Sequence, residues 1–168
     1  HLFLGSCSSV THSRITRHDF EPPAAASAEN SPLEHSATVD STVQVLEVGD
    51  SAAPEPWHNV GSLRFGADGW LWALFGDKVL GDPAQDPSNA LGALVRLDLA
   101  GFDPAAGDAA PDIYAWGLRS PWKGVFDAAG RFWIGDVGAA DIEEIDVVTA
   151  RDQNFAWPVW EGPCDSDC

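Results

Sequence analysis

The chain has 168 residues, enough for one domain with a real core, and its 45% apolar share argues against disorder along the whole length. Nine Lys and Arg against 26 Asp and Glu give a formal charge of -17, so a nucleic-acid or anionic-membrane partner would be repelled over most of the surface. No run approaches the roughly 18 apolar residues that a spanning helix needs, which predicts no membrane insertion, and HLFLGSCSS at the start lacks the basic leader and long apolar centre of a signal peptide.

Short β-prone runs separated by Gly, Pro, Asp and Asn predict strands at Leu2 to Leu4, His12 to His18, Thr42 to Val48, Leu63 to Phe65 and Trp70 to Phe75. Further strands are expected at Ala93 to Leu99, Ile113 to Trp116, Arg131 to Ile134 and Ile142 to Val148. No stretch keeps a 3.6-residue apolar period over three turns, so long helices are not expected. Segments 21–37, 81–90 and 101–112, rich in Pro, Ala, Gly and Asp, read as surface loops.

An internal repeat organises these runs. Phe65, Gly69 and Trp72 in FGADGWLW recur as Phe126, Gly130 and Trp133 in FDAAGRFW, 61 residues later, and each copy is followed by a Gly-Asp, at 76–77 and 135–136. A hairpin recurring at that interval is the signature of a β-propeller blade. Trp70, Leu71, Trp72, Leu74 and Phe75 are apolar on both faces of one strand, as a blade strand between two neighbouring sheets must be. At the observed repeat the chain holds two to three blades. A closed ring needs about four or more, so both ends are expected to be truncated. The absence of Met, at position 1 as elsewhere, and the odd count of Cys7, Cys164 and Cys168 suit the same reading, with a disulfide to a partner outside the chain.

Three clusters can carry chemistry. His58 precedes the first repeat hairpin and Asp77 ends it; in an antiparallel hairpin these positions become neighbours, and a carboxylate beside an imidazole makes a general base. The alternative is a surface histidine with an unrelated turn aspartate. In IYAWGLRSPWKG, Arg119 sits on a turn before Pro121, able either to present a fixed cation to an oxyanion or to bond loop carbonyls. In GDVGAADIEEIDVV, Gly138 exposes backbone carbonyls among Asp136, Asp141, Glu143 and Glu144, a hard-oxygen setting that suits calcium or a solvated edge. No phosphate loop, nucleophile elbow, HExxH or CxxC pair is present.

Taken in order, HNVGSLRFGADGWLWALFGD, LGALVRLDL, IYAWGLRSPWKG, GDVGAADIEEIDVV and NFAWPVWEGPC resemble the glucose/sorbosone dehydrogenase family, from about residue 12 to Cys164. The resemblance implies a six-bladed propeller, of which this chain covers the middle blades. It further implies oxidation of an aldose sugar or related alcohol with pyrroloquinoline quinone. By motif, His58 is the catalytic base and a cofactor contact, Asp77 the residue that orients it, and Arg119 the catalytic arginine that holds and polarises the quinone oxygens, with Ser120 a further cofactor contact. Gly138 and Ala139 carbonyls match calcium ligands, and Glu143 with the backbone of Phe155 falls near a second calcium. Ser120 and Ala139 depart from the usual residues, and the basic residues that clamp the cofactor come from later blades, so the chain by itself is expected to be inactive. The cysteines and the cofactor suggest the periplasm or the cell exterior. A competing reading is a non-catalytic, hedgehog-interacting-protein-like propeller that binds protein or glycan at the cell surface.

Overall fold

The computed structural model describes residues 1–21, 38–140 and 142–162. Its strands are β1 (Leu2–Cys7), β2 (His12–Glu21), β3 (Thr38–Gly49), β4 (Val60–Phe65), β5 (Leu71–Phe75), β6 (Ala93–Leu97), β7 (Asp112–Trp116), β8 (Pro121–Phe126), β9 (Phe132–Asp136), β10 (Glu144–Val148) and β11 (Gln153–Asn154). They form three sheets, ordered β1-β2-β3, β11-β7-β6-β5-β4 and β10-β9-β8. All pairings are antiparallel except that of β11 with β7. No α-helix occurs among the described residues, only 3-10 turns at Asp82–Gln85 and Pro104–Ala106, both inside segments expected to be loops. The segment expected as the first loop lies, from residue 22 to 37, outside the described residues, as do Asp141, Cys164 and Cys168.

The sheets stack face to face as successive blades of a β-propeller. Every residue of β5 is buried, because the strand serves two cores at once. Leu71, Ala73 and Phe75 pack with Ile15, Val45 and Val48 of the first sheet. Trp72 and Leu74 pack with Phe132, Ile134 and Val148 of the third. Burying a side chain of this size contributes about 1.5–3 kcal/mol, so a run apolar on both faces is what a middle blade requires. On the third-sheet side Trp72 stacks on Phe132 and meets Phe126 edge-on at 5.2 Å.

The inner strands β1, β4 and β8 lie side by side. Their approach is close enough that a Cβ on Gly61 of β4 would stand 2.2 Å from the Pro121 carbonyl of β8. The two repeat hairpins turn alike. Gly66 N–H donates to Trp70 O at 3.0 Å and Asp127 N–H to Arg131 O at 2.9 Å, while Gly69 and Gly130 hold the same left-handed φ, 80° and 81°.

Strand β8 is the first strand of the second repeat hairpin, whose end at Phe126 follows from the repeat while its start does not. Pro121 can open a strand because its missing N–H falls at the end of the ladder, and a bulge between Pro121 and Lys123 blurs the alternation by which the rest would be recognised. Cys7 is exposed and forms no disulfide among the described residues. Its Sγ lies 2.6 Å from the Ser9 carbonyl.

Candidate active site

His58 lies two residues before β4 and Asp77 two residues after β5, so the hairpin brings them together as expected. His58 Nδ1 and Asp77 Oδ1 are 2.5 Å apart, with the histidine side chain 13% exposed and the aspartate 1%. The preceding Gly76 leaves room for this contact, since a Cβ there would stand 2.4 Å from the His58 carbonyl. Asp77 is fully engaged: Oδ1 also accepts from Val79 N–H, and Oδ2 accepts from Gly81 N–H and from the Trp157 indole N–H at 2.8 Å. Burial pushes the Asp77 carboxyl up, but the donors His58, Trp157 and Val79 outweigh it and hold the group below the ordinary carboxylate range.

A second contact runs beside the first. Lys78, fully buried, bonds its ammonium to the Asn59 side-chain carbonyl, so residues 77 and 78 grip residues 58 and 59 in register. Burial lowers the Lys78 pKa. The backbone is strained to make this arrangement. His58, Lys78 and Val79 have φ of 49°, 56° and 64°, and Ala156, beside Trp157, has 73°. Each such residue costs about 1–2 kcal/mol, and strain of this kind gathers where geometry serves a site.

Arg119 stands two residues before β8. Its backbone N–H and that of Ser120 donate to the buried carboxylate of Asp136 at 2.8 and 2.6 Å. The guanidinium donates from Nη1 to the carbonyls of Val137 and Gly138, both at 2.8 Å, and lies over the Trp157 ring at 5.2 Å. Its Nε is buried and has no partner among the described residues. A buried N–H without an acceptor is costly; Nε of Arg14 and of Arg17 are in the same state. Beneath the turn, burial raises Asp136 to about 6 despite the two backbone N–H groups, and burial with the charges of Asp136 and Glu144 raises Asp146 to about 7.

The residues expected near calcium have protein partners in this structure. The Gly138 carbonyl is already held by the Arg119 cation. Glu143 turns its carboxylate to the Gly138 N–H, and Ala139 N–H donates to Glu161. Phe155 belongs to another segment, its N–H donating to Trp116 O at the end of β7. Among the described residues no three His, Cys, Asp or Glu side chains converge on one point. A carbonyl oxygen carries two lone pairs, so the Arg119 bond leaves one on Gly138 for a cation.

A family model described as Glucose / Sorbosone dehydrogenase matches residues 24–165. The chain belongs to the glucose/sorbosone dehydrogenase family. Among its relatives, the HIPL1 protein of Arabidopsis thaliana is 31% identical over 149 residues, covering 71% of this chain and 21% of that protein. The HIPL2 protein of the same plant is 28% identical, covering 76% and 22%. The PQQ-bound aldose sugar dehydrogenase of Streptomyces coelicolor aligns with a TM-score of 0.67 at 24% identity, over 92% of this chain and 43% of that one. The soluble aldose sugar dehydrogenase of Escherichia coli, in its apo form, gives 0.53 at 18%, over 90% and 46%. These structural likenesses establish the family's propeller fold for this chain. The chain spans under half the length of either dehydrogenase and about a fifth of the HIPL proteins.

Sequence reasoning passed over three participants at this site. Trp157 and Glu161 lie in NFAWPVWEGPC, which was noted as a motif without a role for either, and Lys78 is a residue type expected at the surface.

Proposed function

We propose that the protein containing this chain oxidises an aldose sugar or related alcohol with pyrroloquinoline quinone as the hydride acceptor. The observation that carries this reading is the His58–Asp77 pair, 2.5 Å apart and shielded from water, beside a guanidinium with a buried, unpaired N–H. With Nδ1 bonded to Asp77, His58 keeps Nε2 as the basic nitrogen. That nitrogen takes the proton of the anomeric hydroxyl as the adjacent carbon gives up hydride, and the C–O bond becomes a carbonyl. Asp77 holds the tautomer and offsets the charge that develops on the imidazole. Arg119 and Ser120 are the residues that would hold the quinone, and Arg119 would polarise its oxygen. The quinone, when bound, supplies the two-electron acceptor that no side chain provides. We place the protein in the periplasm or outside the cell; the carbonyls of Gly138 and Ala139 would hold calcium at the cofactor, with Glu143 and the Phe155 backbone near a second ion.

A second reading, a non-catalytic propeller that binds protein or glycan, is favoured by the likeness to HIPL1. Full-length protein incubated with pyrroloquinoline quinone separates the two. The dehydrogenase reading expects retained quinone absorbance and reduction of a dye by aldoses, with Arg119→Ala weakening retention. Absence of both retention and reduction supports the binder.

A further inference from the structure

We propose that Trp157 is a positioning residue that ties the His58–Asp77 pair to Arg119 through the two parts of a single indole. This rests on the dehydrogenase reading for its catalytic meaning, while the physical coupling stands by itself. The indole N–H donates to Asp77 Oδ2 at 2.8 Å from 80 residues away in sequence. The face of the same ring lies 5.2 Å from the Arg119 guanidinium carbon. Base and cation belong to different blades, and this ring touches the machinery of both.

The indole is itself placed by backbone bonds. Trp157 N–H donates to Gly117 O at 3.0 Å, and the Trp157 carbonyl accepts from Gln85 Nε2 at 2.6 Å. Ala156, left-handed at 73°, turns the chain just before it. The ring is therefore held from the loops after β5 and β7, without relying on the contacts it serves.

The division of labour on Asp77 explains why an indole suits the position. Oδ2 is taken by Gly81 N–H and Trp157, which leaves Oδ1 to face His58 and Val79 N–H. Pinning one oxygen fixes the carboxylate plane, and that plane sets the imidazole. A neutral N–H does so without cancelling the negative charge that His58 needs, whereas a lysine or arginine there would compete for it. The remaining charged groups nearby are Lys78, directed to Asn59, and Arg119, directed to loop carbonyls. At Arg119 the ring face fixes the guanidinium plane while Nη1 holds the Val137 and Gly138 carbonyls, so Nε has one direction left to point.

Two variants of the full-length protein test this. Trp157→Phe keeps a ring for Arg119 and removes the N–H; Trp157→Leu removes both. Carboxyl-labelled aspartate followed by NMR should show Asp77 titrating at least about half a pH unit higher in both variants, because a donor to its charged form is gone. The Arg119 Nε–H resonance, shifted by the ring, should stay near its wild-type position in the Phe variant and move in the Leu variant. With quinone and an aldose, Trp157→Phe should lower kcat at least about tenfold while KM changes by less than about threefold, the pattern of lost orientation rather than lost binding. An Asp77 titration in Trp157→Phe identical to wild type overturns the proposal, even if the Leu variant fails to fold. An Arg119 resonance unmoved in a folded Leu variant overturns its second half. If the wild-type protein oxidises no aldose, the dehydrogenase reading fails, and the two NMR measurements still decide the coupling.

Discussion

His58 and Arg119 stand at the same place in two successive blades: each lies two residues before an inner strand, 61 residues apart, and each is tied to a buried aspartate that follows a glycine. The propeller repeat thus reuses one carboxylate position for two tasks. Asp77 meets the side chain of His58 and makes it a candidate base. Asp136 meets the backbone of Arg119 and Ser120, which leaves the guanidinium free to serve elsewhere. The two products of this repetition then meet across the Trp157 indole.

Asp77→Asn should lower kcat/KM about a hundredfold or more. An amide in that place can turn its NH2 toward Nδ1 and impose the wrong tautomer on His58. Steady-state kinetics on the full-length protein with quinone check this. Unchanged kinetics in a folded variant would remove Asp77 from the orienting role.

Two glycine substitutions should separate close approach from backbone strain. Gly69→Ala meets no atom within 4 Å but must hold φ near 80°, and it should cost about 1–2 kcal/mol. Gly61→Ala drives a methyl to 2.2 Å from the Pro121 carbonyl, where backbone has to move. It should cost about 3 kcal/mol or more, or prevent folding. Equal denaturation midpoints for the two variants would contradict the packing of β4 on β8.

Acid stability should depend on Asp112, which receives Arg151 and Arg96 together at the start of β7. The Arg151 bonds, with those of Arg96, hold it well below its ordinary value of 3.8, at about 2, against the opposing effect of burial. A carboxylate with a depressed folded pKa contributes stability above its unfolded pKa, and that contribution disappears as the pH falls through the folded one. Stability should therefore drop between pH about 4 and about 2, and Asp112→Asn should remove about 1–2 kcal/mol at neutral pH while flattening that drop. Urea midpoints across the range measure it. An unchanged acid limb in the variant would mean that the ion pairs contribute nothing.

Much of this architecture was legible in the sequence because it lies in local pattern. The doubly apolar β5 and the twin FGADGWLW and FDAAGRFW hairpins announce a blade sandwiched between others, and the hairpin alone predicts that residues 58 and 77 are neighbours. What was missed depends on distant partners. The start of strand β8 is obscured by Pro121, Lys123 and Gly124, and it is set by pairing with β9 and packing on β4 rather than by its own alternation, although the repeat places its end at Phe126. Trp157 acquires its role from Asp77, 80 residues earlier. Lys78 is buried only because the β5–β6 loop folds back over Asn59, which its neighbours in sequence do not foretell.

The most direct test of the account is the turnover of His58→Ala beside wild type, with the full-length protein, pyrroloquinoline quinone and an aldose in both. Loss of the base predicts a fall in kcat of at least about a hundredfold with quinone still bound. Equal rates in the two proteins would show that His58 abstracts no proton.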